Sequence, residues 1–339
     1  MTCSSSPMSA LPAYDDLPLR SGLRCAWDVW NPGADVFGCL NLLTPERAAD
    51  AARLVTRGAV FPLDWTMALP DPPLFGRKPF THEVTGDVTT TSHDDVLHGW
   101  NTQSSTQWDG FRHIRNFMML DDQPGTGHFG GVDDEVHGVH HWAARGLVGR
   151  GVLADIGRWR DAVGRPIRYD EPDVIAPAEI GECLASQGTQ LDEGDVLLVR
   201  FGWITWYLQQ PQSVRSWLSD RDQFRSAGFD PTEELVRTLW NLHIAAIGCD
   251  NPGIEIWPRG SHLEADVLEA VKADRRRTHE MFAHALLLPM IGLPLGEMFA
   301  LDALAADCAA DGRYEFMFTS APLNLPGGVA SPPNALAIK

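Results

Sequence analysis

From residue 151 onward, short continuously apolar runs alternate with amphipathic segments, and this alternation constrains the fold more than any other feature. Residues 151–156, 195–201 (with Val196, Leu197, Leu198 and Val199) and 244–248 read as buried strands. Runs of that length with no polar alternation are covered on both faces. Between them, 177–187 reads as a helix stopped by Gly188, and Asp230 caps a second helix that begins at Pro231 and carries Glu233 at a capping-box-like position. Strands separated by helices predict an α/β domain. A late strand is expected over 313–319 and an apolar helix over 279–290.

The first third is less regular. Thr44 is suited to cap a helix with Pro45 in its first position, Ala48, Ala51, Leu54 and Val55 on one face, and Gly58 as its stop. A strand over 60–65, a proline-rich loop over 69–79 and a strand within 82–91 follow. Composition does not change sharply anywhere, so the expected organisation is a loose lead over 1–14, one domain over 15–321, and an extended surface tail over 322–339.

Charge narrows the partners. With 45 acidic against 27 basic residues the net charge is -18, which repels both a phosphate backbone and an anionic lipid surface. Neither nucleic acid nor membrane is expected as a partner. The longest apolar run, 283–295, contains His284 and two prolines and falls short of the roughly 18–20 residues that span a bilayer. Residues 1–17 lack the basic-then-apolar pattern of a secretory signal. Six scattered cysteines without a Cys-x-x-Cys pair fit free thiols in the cytoplasm.

Chemistry concentrates in Gln103-Ser104-Ser105-Thr106-Gln107-Trp108-Asp109-Gly110-Phe111-Arg112-His113. In an extended segment, residues two apart share a face, so Gln107 and Asp109 can present two oxygens to one cation. Gln103 and His113 lie four residues to either side and converge if the chain turns near Gly110. Carboxylate and carboxamide oxygens suit a divalent ion, and an imidazole beside them suits proton transfer near neutral pH. By spacing alone, such a stretch is more often a loop that satisfies its own backbone.

This segment resembles the signature H-x-G-T-H-x-D-x-x-x-H of the cyclase / kynurenine formamidase-like family, in its Thr-Gln-Trp-Asp variant. Gln103 and Gln107 stand at the first two histidines, Ser105 and Thr106 at the glycine and threonine, Asp109 at the aspartate, and His113 at the last histidine. A second block, His284-Ala285-Leu286-Leu287-Leu288 followed by Gly292-Leu293-Pro294-Leu295-Gly296-Glu297, resembles the family's downstream histidine and glutamate, with a spacing one residue longer than usual. Residues 41–46 and the turn Asp250-Asn251-Pro252 fit the same pattern.

The resemblance implies a swivelling β/β/α domain with mixed sheets and surrounding helices. It also implies a homodimer or homotetramer in which a neighbour's loop closes the pocket. The implied metal ligands are Gln103, Gln107, Asp109, His284 and Glu297, with His113 as acid/base beside Asp109. Glutamine at both histidine positions implies looser zinc binding, one ion rather than two, or a shift from Zn2+ toward Mn2+.

The expected activity is metal-dependent hydrolysis of an amide, lactone or ester in a small cyclic or aromatic molecule. Cyclisation or dehydration on the same fold and a metal-free binding protein are the alternatives. Among the twelve tryptophans, Trp100 and Trp108 are candidate pocket walls, and Arg112 is a candidate partner for a substrate carboxylate. Glu255 reads as a surface carboxylate, and His279 as a packing or capping residue. No serine-hydrolase elbow, phosphate loop or dinucleotide fingerprint is present.

Overall fold

The computed structural model describes residues 11–121, 127–131 and 134–339. Its centre is a nine-stranded mixed sheet. In chain order the strands are β1 (Val60–Pro62), β2 (Gln107–Asp109), β3 (Leu147–Ala154), β4 (Val196–Val199), β5 (Ala246–Cys249), β6 (Leu295–Glu297), β7 (Glu315–Ser320), β8 (Ala330–Ser331) and β9 (Ala335–Ile338). Across the sheet they run β8-β2-β6-β5-β4-β3-β7-β9-β1. The block β6-β5-β4-β3 is parallel, and every pairing outside it is antiparallel.

The parallel block contains the three apolar runs of the sequence. Val196, Leu197, Leu198, Val199, Ala246 and Ile247 have no exposed surface, because helices pack over both faces, as parallel strands require. Helices Ile156–Ala162 and Glu179–Gln187 lie between β3 and β4, and helix Glu233–Asn241 leads into β5. Thr44 caps helix Pro45–Ala52 by accepting from the Arg47 backbone N–H. The architecture is the mixed α/β arrangement expected from the sequence.

Three segments depart from the reading of the sequence. Residues 322–339 are not peripheral. They contribute β8 and β9 to the main sheet, and the Lys339 side chain is fully buried against Asp307 and Asp311. Small residues such as Ala330, Ser331 and Ala335 fit between neighbouring strands there, although the segment's Pro and Gly content reads as loop. Residues 279–290 form no single helix but a 3-10 turn, Arg275–Glu280, and a short helix, His284–Leu287. Pro289 has no N–H to give the Ala285 carbonyl, and that carbonyl accepts from Asn116 Nδ2 instead, at 2.8 Å. The strand sought within 82–91 is Thr81–Thr85, paired with Asp94–His98 in an exposed two-stranded ribbon.

Of the expected lead, residues 1–10 lie outside the described residues. Pro12 and Tyr14 are held against helix Glu233–Asn241 by bonds from Trp240 Nε1 to the Pro12 carbonyl and from the Tyr14 N–H to Asn241 Oδ1, both 2.8 Å. The five cysteines among the described residues are buried and free. No helix among the described residues is long and apolar enough to cross a membrane.

Candidate active site

The register of β2 against β6 assembles the site. Gln107 pairs with Glu297 and Asp109 with Leu295, so Gln107, Asp109 and Glu297 share one face of the sheet. Gln107 Nε2 donates to Glu297 Oε2 at 2.6 Å. Trp108 points to the other face, where Gly296 opposes it. A Cβ at Gly296 would stand 2.8 Å from the indole, so the absence of a side chain there is what admits Trp108.

After β2 the chain turns at Gly110, whose carbonyl accepts from the His113 N–H at 2.9 Å. The turn brings His113 back over Asp109, with Nε2 3.7 Å from Oδ2. Gln103 completes the group: its Nε2 is 2.7 Å from Asp109 Oδ1 and 3.1 Å from His113 Nδ1. The loop between Gln103 and β2 is anchored by Thr106, which accepts from the Trp65 N–H and donates to the Met298 carbonyl.

His284 enters from its short helix. Its Nε2 lies 3.0 Å from Glu297 Oε1 and 3.8 Å from Asp109 Oδ2, and its Nδ1 is 2.8 Å from both oxygens of Glu255. Phe282 stacks on the imidazole at 4.6 Å between ring centres. Glu255 follows β5 and is clamped by backbone bonds on either side, Phe229 N–H to the Ile254 carbonyl and Ile256 N–H to the Phe229 carbonyl. The site thus sits beyond the carboxyl ends of the parallel strands, where open α/β sheets place ligands.

A cavity of about 200 Å³ opens over these groups. Its lining includes His113, Glu255, His284 and Glu297 at one end and Phe75, Phe224, Trp257, Arg221 and Arg259 elsewhere. The aromatic walls brace one another: Phe75 is 5.2 Å from Phe224 and 5.1 Å from Trp257.

Electrostatics mark the cluster as short of positive charge. Burial works against a charge on His284, but Glu255 and then Glu297 outweigh it and raise the imidazole to about 10. Burial, then the neighbouring Asp109, pushes Glu297 up to about 7. Burial lowers His113 below its ordinary value, against the pull of Asp109.

The donor set fits a divalent cation. Ligand atoms of Asp109, His284 and Glu297 all lie within 4.8 Å of one another. Gln107 Oε1 and Asp109 Oδ2 are buried with no hydrogen-bond partner, and an acceptor in that condition is costly unless a cation or donor meets it. His284 turns one ring nitrogen to the carboxylates and has the other fixed by Glu255, the arrangement that orients a metal-binding histidine.

The structure brings Gln103, Gln107, Asp109, His113, His284 and Glu297 together, with Gln103 placed as an amide donor to Asp109. It does not bring Trp108, Arg112 or Trp100 to the cavity. Trp108 is fully buried between Phe299 and Phe318, because the alternation that joins Gln107 to Asp109 sends the residue between them away. Arg112 reaches the Gly327 carbonyl. Trp100 lies before the turn Asn101–Ser104 and does not line the cavity.

Glu255, read from sequence as a surface carboxylate, is 2 % exposed. Its signal was its place just past a buried strand and a tight Asp-Asn-Pro turn. Phe75, Arg77, Arg221, Arg259 and Phe282 have no local motif, and only the fold gathers them.

A family model described as putative cyclase matches residues 61–256. Among solved structures, one described as a novel cyclase is 28% identical, with a TM-score of 0.73 over 93% of this chain and 99% of that one. Isatin hydrolase A from Labrenzia aggregata, bound to benzyl benzoate, is 20% identical with a TM-score of 0.52, over 88% of this chain and 98% of that one. Isatin hydrolase A from Ralstonia solanacearum is 17% identical with a TM-score of 0.53, over 87% and 97%. The two hydrolases share the fold. No curated protein matches the sequence.

Proposed function

The chain belongs to the putative cyclase family of enzymes, and from that premise we propose that it hydrolyses a C–N or C–O bond, in an amide, lactone or ester, of a small planar substrate. One observation carries the reading: the ligand atoms of Asp109, His284 and Glu297 converge, with the unpartnered oxygen of Gln107 on the same strand face as Asp109, and His284 and Glu297 line an aromatic-walled cavity together with His113. That isatin hydrolases are built on the same fold supports hydrolysis.

Asp109, His284 and Glu297 would hold one divalent ion, with Gln107 as a further oxygen donor. A set with one imidazole and otherwise oxygen ligands suits Mn2+ as well as Zn2+. When bound, the ion supplies polarisation of the scissile carbonyl and acidification of a water.

The chain's own groups do the rest. Glu255 fixes the His284 ring. The His113 side chain, 23% exposed, stands at the cavity wall with Gln103 against its Nδ1. Its imidazole takes a proton from the attacking water and returns one to the departing nitrogen or oxygen, while water's oxygen joins the carbonyl carbon and the old bond breaks. Phe75, Phe224 and Trp257 grip a flat ring and exclude bulk water.

His113→Ala tests the assignment. Loss of an acid/base should slow turnover ~10²–10⁴-fold with metal content unchanged, and undiminished turnover removes His113 from the chemistry. Product analysis separates hydrolysis from ring closure or dehydration. The expected homodimer or homotetramer, with a neighbour's loop over the pocket, is tested by light scattering.

A further inference from the structure

The cavity carries more positive charge than the proposed hydrolysis uses. Arg77, Arg221 and Arg259 all line it, in a chain whose acids outnumber its bases 45 to 27. Elsewhere arginines find carboxylates readily: Arg160 takes Glu179 and Arg200 takes Asp155 and Asp302. None of the three cavity arginines is ion-paired with a carboxylate among the described residues, and of the three only Arg77 is tied down near the reacting end, to the Gln103 carbonyl.

Arg221 and Arg259 sit at the same indole, their guanidinium carbons 5.8 and 5.0 Å from the Trp257 ring centre. Arg259 also lies over Phe282, at 3.4 Å, and its Nε is buried with no hydrogen-bond partner. Burial, together with the charge of Arg221, lowers the pKa of Arg259 to about 10 despite the nearby Glu255. Two like charges beside one ring, one of them desolvated with a donor unmet, are an unfavourable arrangement on their own. An anion between them relieves both costs, and a planar guanidinium fork matches a carboxylate.

We propose that Arg259 and Arg221 form an anion subsite and that the enzyme selects substrates bearing a carboxylate on a flat ring. The ring lies against Trp257, Phe75 and Phe224, and the carboxylate faces the two guanidinium groups. The scissile carbonyl then lies toward His113 and Glu297. The cavity, below the usual range for drug-sized ligands, suits a one- or two-ring acid. The inference rests on the hydrolase reading only for the position of the reacting bond; the anion subsite stands on its own geometry.

The test compares benzoate with its neutral isostere benzamide on the full chain. Metal is stripped by chelation so that carboxylate–metal ligation cannot contribute, and binding is followed by calorimetry and tryptophan fluorescence. Benzoate should bind at least about tenfold more tightly, the scale of a charged hydrogen bond. Arg259→Gln and the exposed Arg221→Gln should each lower the ratio of benzoate to benzamide affinity severalfold, with circular dichroism confirming that both variants fold. Equal binding of the two probes, failure of benzoate to bind, or a preference that survives Arg221→Gln and Arg259→Gln overturns the proposal. A benzoate preference in a protein that cleaves no carboxylated aryl amide, lactone or ester would remove the hydrolase reading and leave the subsite. Cleavage of neutral and anionic substrates at equal kcat/KM would do the reverse.

Discussion

Trp108 is the residue whose role the fold reverses, and its substitution tests the register that builds the site. The indole has no exposed surface. It packs 5.1 Å from Phe299 and 6.3 Å from Phe318, measured between ring centres, and its Nε1 donates to Ser320 Oγ at 3.0 Å. Trp108→Ala removes all of this from a core position and should cost about 3–5 kcal/mol. Trp108→Phe keeps much of the apolar contact but loses the hydrogen bond, leaves Ser320 Oγ with one partner fewer, and opens a smaller void. About 1–2 kcal/mol is expected for it. The assay is equilibrium urea unfolding of both variants beside the parent, with KM measured on whatever folds. A stability loss in that order, with KM of the Phe variant within about twofold of the parent, follows from an indole on the far face of β2. A Phe variant that is as stable as the parent but raises KM tenfold would mean that Trp108 meets substrate, and that the assignment of Gln107, Asp109 and Glu297 to one face is wrong.

Other expectations follow from the charges at the site. Glu255→Gln removes the strongest influence raising His284, so NMR titration of metal-free protein should show that imidazole falling by at least about one pH unit; an unchanged value would contradict the contact. In the metal-free parent, the folded state holds the His284 proton more tightly than the unfolded chain does. The resulting stability is complete below about 6.5 and lost as the pH rises to about 10. Melting temperatures over that window should decline, and His284→Gln should flatten the decline; parallel curves for the two proteins would refute it.

Much of the site was legible because it depends on short-range geometry. The two-residue period of a strand linked Gln107 to Asp109, and Gly110 allowed the turn that returns His113. The apolar runs marked the parallel strands, whose burial on both faces removes any need for polar alternation. What escaped the sequence depends on distant pairing. β8 and β9 are too short and too interrupted by proline to declare themselves, and they become strands only because β2 and β7 offer open edges. Glu255 looks like any acidic residue after a turn until an isolated parallel bridge to Phe229 pins it inside. Arg221 and Arg259 are far apart in sequence from His113, and nothing local connects them.

The central claim is that one divalent ion belongs among Asp109, His284 and Glu297. Elemental analysis of purified, untagged protein after dialysis with Mn2+ or Zn2+ tests it most directly, read beside Asp109→Asn and His284→Gln. The account predicts about one ion per chain in the parent and a large loss in both variants. A parent that retains no metal, or variants that retain as much as the parent, would contradict it and favour a metal-free pocket whose carboxylates are neutralised by His284 and the amides of Gln103 and Gln107 alone.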